Sequence, residues 1–251
     1  MEWTDEAIVL GVKKHGETSV VAELMTRDRG RCLGLVRGGR SRTLRPVLQP
    51  GNSVRATWRA RLDEHLGQFK IEAEKLRAAR LMESAHAVYA LQTLSSHLRL
   101  LPERDGHAAL YETFSIIIDS LDAPEIAAEM VIRFELAMLE ELGFGLDLTT
   151  CAATGSRQNL VYVSPKSGRA VSGEAGQPWA AKMLALPGFL LDRDMERVEG
   201  ASLDEIAHGF ELTQYFLQRH IHGPRGIDIP AERDSLISTV RKALAGGPTG
   251  L

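Results

Sequence analysis

Of the 251 residues only Cys32 and Cys151 carry a thiol. Two thiols exclude a disulfide framework and any zinc site built on four cysteines. Such sparing use of cysteine fits a reducing compartment. Aromatic residues are also scarce, at 6%, so a surface built on stacked rings has few candidates. No apolar run reaches the roughly 18 residues of a membrane-spanning helix. The opening Met1-Glu2-Trp3-Thr4-Asp5-Glu6 is acidic, unlike the basic-then-apolar order of a secretory leader. A cytoplasmic protein without a membrane segment is therefore expected. P-loop, Gly-x-Ser-x-Gly and His-Glu-x-x-His motifs are missing, and the eight histidines show no relay spacing. No catalytic residue and no cofactor are expected. What is present is ordinary globular usage, 44% apolar and 25% charged. That is enough for a sizeable core in one large or two to three small domains.

Charge is divided unevenly. Residues 1–80 hold 16 Lys and Arg against 10 Asp and Glu, whereas residues 81–251 hold 14 against 23. The total of −3 thus conceals a basic N-terminal part at +6 and an acidic remainder at −9. Ten arginines fall within 27–61, with Asp28 the one acid among them. Such asymmetry points to a polyanionic partner.

The basic part reads as strands. Residues 7–14 and 19–25 are rich in β-branched residues and flank a turn at Lys14-His15-Gly16-Glu17; residues 31–36 form a third run. In the fourth, Val54, Ala56, Trp58, Ala60 and Leu62 alternate with Arg55, Thr57, Arg59 and Arg61. A period of two places the first set in a core and the second on a cationic stripe. A fifth run, 66–73, follows Asp63-Glu64-His65 and turns Phe69 and Ile71 inward. Five short strands in this space predict a small barrel. The stretch from Arg37 to Pro46 has four arginines and two adjacent glycines and little to bury, so an exposed, mobile loop is expected there.

From Leu81 the apolar spacing changes to three and four. Leu81, Ala85, Val88, Leu91, Leu94, Leu98 and Leu101 mark one helix, stopped at Pro102; Leu110, Phe114, Ile117 and Leu121 mark a second. A third starts at an acidic cap near Asp122-Ala123-Pro124 and ends at Gly143. Residues 145–178 lack a helical period. Ser202-Leu203-Asp204-Glu205 has the form of a capping box before another helix, and a last helix is predicted over 231–245, ahead of a frayed tail.

The order of these parts, with Ile8-Val9-Leu10, the segment Gly30 to Gly39, Leu48-Gln49-Pro50-Gly51 and the run Leu142-Gly143-Phe144-Gly145-Leu146-Asp147-Leu148-Thr149-Thr150-Cys151, resembles the RecO family of recombination mediators across nearly the whole chain. The resemblance implies an α+β multidomain protein: a five-stranded OB-fold barrel over 1–80, an α-helical domain over 81–146 and 177–251, and a zinc-finger-like insertion over 147–176. It implies binding of single- and double-stranded DNA, annealing of complementary strands, and assistance with RecR to RecA loading on DNA coated by single-strand-binding protein. It also implies contact with that protein's C-terminal tail through the helical body, and a nucleoid-associated location in the cytoplasm.

The zinc pattern is degenerate. Cys151-Ala152-Ala153-Thr154-Gly155 keeps one thiol of a Cys-x-x-Cys-Gly motif, and Ser172-Gly173-Glu174-Ala175 offers none. His220 and His222, two apart in a presumed helix, point to different sides. No metal is expected, and Cys151 reads as a buried relic. The DNA-binding residues expected are Arg31, Arg37, Arg40, Arg42, Arg45, Arg55, Arg59 and Arg61. Their guanidinium groups would displace counterions from phosphates, with Trp58 and Phe69 left to the core. Two rival classes are an OB-type RNA-binding module and a divalent-metal nuclease using Glu140-Glu141 or Asp192 and Asp194. A weaker third is a protein-binding scaffold using the apolar helices.

Overall fold

β-branched and apolar residues on one side of each run draw the first 75 residues into sheet. A computed structural model describes residues 1–62, 64–191 and 200–245. Asp63, the pair Asp192 and Asp194, and the tail from 246 lie outside the described residues. The chain divides into two compact units, Met1–Ser120 and Leu121–Leu251. The helical segment after the barrel is thus split between them near Ser120.

In the first unit β1 (Glu2–His15), β2 (Ser19–Thr26), β3 (Gly30–Val36), β4 (Ser53–Arg59) and β5 (Gln68–Lys75) close into a barrel in the order β1-β2-β3-β5-β4. Neighbours are antiparallel except β3 and β5, which meet in parallel at Leu35 and Gln68. This arrangement fits the OB-fold. β1 begins well before Ala7 because its first residues find partners on β4, Trp3 opposite Trp58 and Asp5 opposite Ala56. β4 stops at Arg59, short of Leu62, which is 43% exposed. Val9, Ala22, Leu24, Val54, Ala56, Trp58 and Phe69 fill the interior, and each large side chain so buried contributes about 1.5–3 kcal/mol.

Three helices complete this unit: α1 (Ala78–Leu81), α2 (Ala85–Leu98) and α3 (Ala108–Asp119). The single helix expected from Leu81 to Leu101 is broken at its start, because Ser84 takes an extended conformation (φ −132°, ψ 136°) ahead of α2. Arg77 is almost fully buried where barrel and helices meet. Its Nε and Nη2 donate to the two carboxylate oxygens of Asp119 at 2.7 and 3.1 Å, and its Nη1 donates to Ser53 Oγ at 2.6 Å. Asn52 Oδ1 accepts from the backbone N–H groups of Arg77 and Ala78.

The second unit starts with α4 (Pro124–Glu141), whose cap residue is Ala123 with no side-chain cap. Asp122 therefore does not supply the expected cap, although Pro124 occupies the first turn. Gly143, at φ +84°, ends the helix in a left-handed conformation. β6 (Leu160–Val163), β7 (Ala170–Ser172), the short α5 (Gly173–Gly176) and β8 (Leu184–Ala185) follow, the strands pairing in the order β7-β6-β8. The predicted capping box opens α6 (Leu203–Leu217): Ser202 Oγ accepts from Glu205 N, and Glu205 accepts from Ser202 N. A π-turn, Gln218–His222, leads to α7 (Gly223–Arg225), and α8 (Ala231–Ala245) closes the described chain. His220 stacks on Phe144 with ring centres 4.7 Å apart, and His222 is buried.

The core of this unit contains an ion pair. Arg233 on α8 and Glu135 on α4 are wholly buried. Arg233 Nε and Nη2 donate to Glu135 at 2.7 and 3.0 Å, and Nη2 also donates to Phe210 O and Thr213 Oγ1. The guanidinium lies over the Phe210 ring at 4.9 Å. No helix among the described residues is long and apolar enough to cross a membrane.

Candidate nucleic-acid interface

The connection between β3 and β4, residues 37–52, carries Arg37, Arg40, Arg42 and Arg45. It is exposed at all four arginines, as its composition predicts. It is also ordered by more than the expected loose loop would be. Ser41 Oγ accepts from Leu44 N, Arg45 N donates to Ser41 O, and Leu48 N donates to Leu44 O. Leu48 is 2% exposed in the barrel core, with Leu44 and Val47 packed beside it. These three apolar residues anchor a segment whose arginines dominate its composition. Arg40 is steered by the β1–β2 turn: its backbone N–H donates to Thr18 O at 3.0 Å and its guanidinium to Glu17 O. Arg37, Arg42 and Arg45 have no acidic partner among the described residues.

The arginines expected on strands have a different setting. Arg55 and Arg59 do point outward while Ala56 and Trp58 point inward. Yet Arg55 Nε meets Glu74 at 3.0 Å and Arg59 Nη2 meets Glu2 at 2.8 Å. Beside them Lys70 pairs with Glu72 at 2.7 Å. The stripe is therefore a lattice of mixed charge rather than a cationic track, because sheet pairing sets acids of β1 and β5 beside it. Arg31, on β3, is drawn inward to Glu23 at 3.0 Å and to the carbonyl of Leu101. Arg99, from the end of α2, holds the other oxygen of Glu23 at 2.7 Å. Arg61 lies beyond the end of β4, exposed and without an acidic partner among the described residues.

Lys14 was missed by a reading confined to 27–61. It lies near the end of β1, and the fold sets it with Arg40 and Arg45 around one groove. The Lys13-Lys14 pair was visible in the chain; its neighbours were not.

Around Cys151 the donor set does not fit zinc. The thiol is buried, donates to Ser172 Oγ at 3.4 Å and accepts from Ser172 N at 3.3 Å. Burial pushes its pKa up, but hydrogen bonds from Ser172, Thr154 and the Ala153 backbone outweigh this and hold it down to about 6. One thiol and two hydroxyls cannot close a tetrahedral zinc site. No group of three or more metal-ligating side chains occurs among the described residues. Glu140 and Glu141 are consecutive in the last turn of α4, so their side chains diverge.

Family models match both parts of the chain. Residues 1–76 match Recombination protein O N terminal, and residues 80–226 match Recombination protein O C terminal. Similar proteins named DNA repair protein RecO come from several bacteria. That of Mesorhizobium japonicum is 60% identical over 242 residues, covering 96% of this chain and 94% of its own. That of Rhizobium etli CFN 42 is 59% identical over 244 residues, covering 97% and 94%. That of Agrobacterium fabrum is 57% identical over 244 residues, covering 97% and 95%.

Proposed function

Because the chain belongs to the RecO family, we propose that it is a recombination mediator. It binds single- and double-stranded DNA, anneals complementary strands, and with RecR assists RecA loading on DNA coated by single-strand-binding protein. Family membership supports a role in DNA repair and recombination. Contact with the C-terminal tail of single-strand-binding protein is assigned to the helical body, and the setting is the nucleoid. The reading assigns the chain no catalysis and no cofactor. Residues 147–176 are taken as a zinc-finger-like insertion whose turn is held by hydrogen bonds from Cys151 instead of a metal.

The observation that carries the reading is the β3–β4 connection, with four exposed arginines and no acid anywhere along it. Guanidinium groups without local acids are free to replace the counterions of a phosphate backbone, and the gain is independent of base sequence. A mediator needs that tolerance. Neutralising phosphates on two strands also lowers their mutual repulsion, which is the physical step in annealing. Arg55, Arg59 and Arg31 must first give up a carboxylate, so they contribute less.

The test is a titration of fluorescent DNA across a salt series with Arg37, Arg42 and Arg45 changed to alanine, followed by annealing of complementary strands. Each lost phosphate contact is expected to lower the logarithmic salt slope by about 0.7–0.9 and to slow annealing. A triple variant with the slope and annealing rate of the natural protein would reject the reading.

A further inference from the structure

We propose that the groove between β1 and the β3–β4 connection seats one unpaired base, so that the site reads single strands. This rests on the DNA-binding reading above and adds the state of the strand it recognises. The groove has a volume of about 330 Å³, at the lower end of the range of roughly 300–1,000 Å³ for small-molecule sites. Its floor is apolar, made by Val12, Val20 and Leu48, and its rim is cationic, made by Lys14, Arg40 and Arg45. No acidic side chain among the described residues lines it.

Two features mark this groove as more than a gap between elements. Val12 is 44% exposed inside a ring of cations, a position where folding alone gains little from a valine. The connection also runs directly on the floor at Gly39. A Cβ there would stand 2.5 Å from Val20 Cγ2 and 3.2 Å from Leu48 Cδ1, so a side chain at 39 would press into the floor of the groove. Arg40 is meanwhile fixed by the carbonyls of Glu17 and Thr18, which pre-orders one wall.

An apolar floor inside a cationic rim matches a flat ring tethered to phosphates. A base in a duplex is stacked on both faces and cannot enter such a groove, whereas a single strand can turn one out. Phosphates on either side of the base then fall to Lys14, Arg40 and Arg45.

The test compares fluorescent oligothymidylate with an abasic strand of equal length and charge, using the full chain at fixed salt. The natural protein is expected to prefer oligothymidylate by about tenfold. Val12→Gln, at an exposed position that tolerates exchange, is expected to shrink that preference to about twofold, and Val12→Leu to keep it. Equal affinity of the natural protein for both strands would overturn the base seat while leaving phosphate-driven binding intact. An undiminished preference in Val12→Gln would overturn its assignment to this groove. Absence of binding to either strand would overturn the DNA-binding reading and this one together.

Discussion

The β4 strand and the β3–β4 connection carry the same residue type and use it in opposite ways. On β4, Arg55 and Arg59 stand in a sheet whose neighbours bring Glu2, Glu6 and Glu72 into register beside them. On the connection, Arg37, Arg42 and Arg45 are not paired into the sheet and have no acid to meet among the described residues. The difference teaches that charge density along a chain is not charge density on a surface. Cross-strand pairing can import a carboxylate from far away in sequence, as Glu2 reaches Arg59. A third group, Arg77 and Arg233, is absorbed into structure altogether. The arginines thus sort into those that build the fold, those held in surface pairs and those left to meet a ligand.

The largest effect belongs to the builders. Arg233→Met would leave the Glu135 carboxylate buried without its partner, which costs about 3–5 kcal/mol. Urea unfolding followed by circular dichroism should show that loss. The double variant Glu135→Gln, Arg233→Met should recover part of it, since no charge would then be stranded. A single variant as stable as the natural chain would break the distinction between building and surface arginines.

How far these roles were legible depends on the range of the interaction. The barrel could be read because period-two alternation and turn residues are local, as at Val54 to Trp58. The capping box at Ser202 and the stop at Gly143 were local too. The break at Ser84 was not, because the apolar spacing runs on through it. Nor could the chain show that Leu44, Val47 and Leu48 would tie down an arginine-rich segment. It could not show that Glu2, Glu23 and Glu74 would engage Arg59, Arg31 and Arg55. Lys14 belonged to the groove only after β1 and the connection were folded together.

A middle-sized effect is expected at the junction of barrel and α3. The Arg77 guanidinium holds the Asp119 carboxyl down to about 2, against partial burial that pushes it up, and Lys75 adds to the lowering. A folded-state pKa below the ordinary 3.8 means the stabilisation is complete above that value and is lost as pH falls through about 2. Asp119→Asn should cost about 1–2 kcal/mol at neutral pH, toward the lower figure because its side chain is 34% exposed and screened. The gap between variant and natural chain, read from urea midpoints, should stay flat above about pH 5 and close between about 4 and 2. A gap independent of pH over that window would remove Asp119 from the set of charges that build the fold.

The smallest effect sharpens the comparison most. Arg59→Ala breaks an exposed pair with Glu2, so the urea midpoint should barely move. Its effect on DNA affinity should also be small, because Glu2 already offsets its charge. Glu2→Gln is the complementary change: it frees Arg59 without removing it. If carboxylate pairing is what silences the β4 stripe, Glu2→Gln should tighten binding to a single strand at low salt and steepen the salt slope by up to about 0.7. Arg59→Ala should leave that slope nearly unchanged. If Arg59→Ala instead flattened the slope as much as Arg42→Ala, the strand and the connection would share one phosphate track, and pairing with Glu2 would not be what separates them.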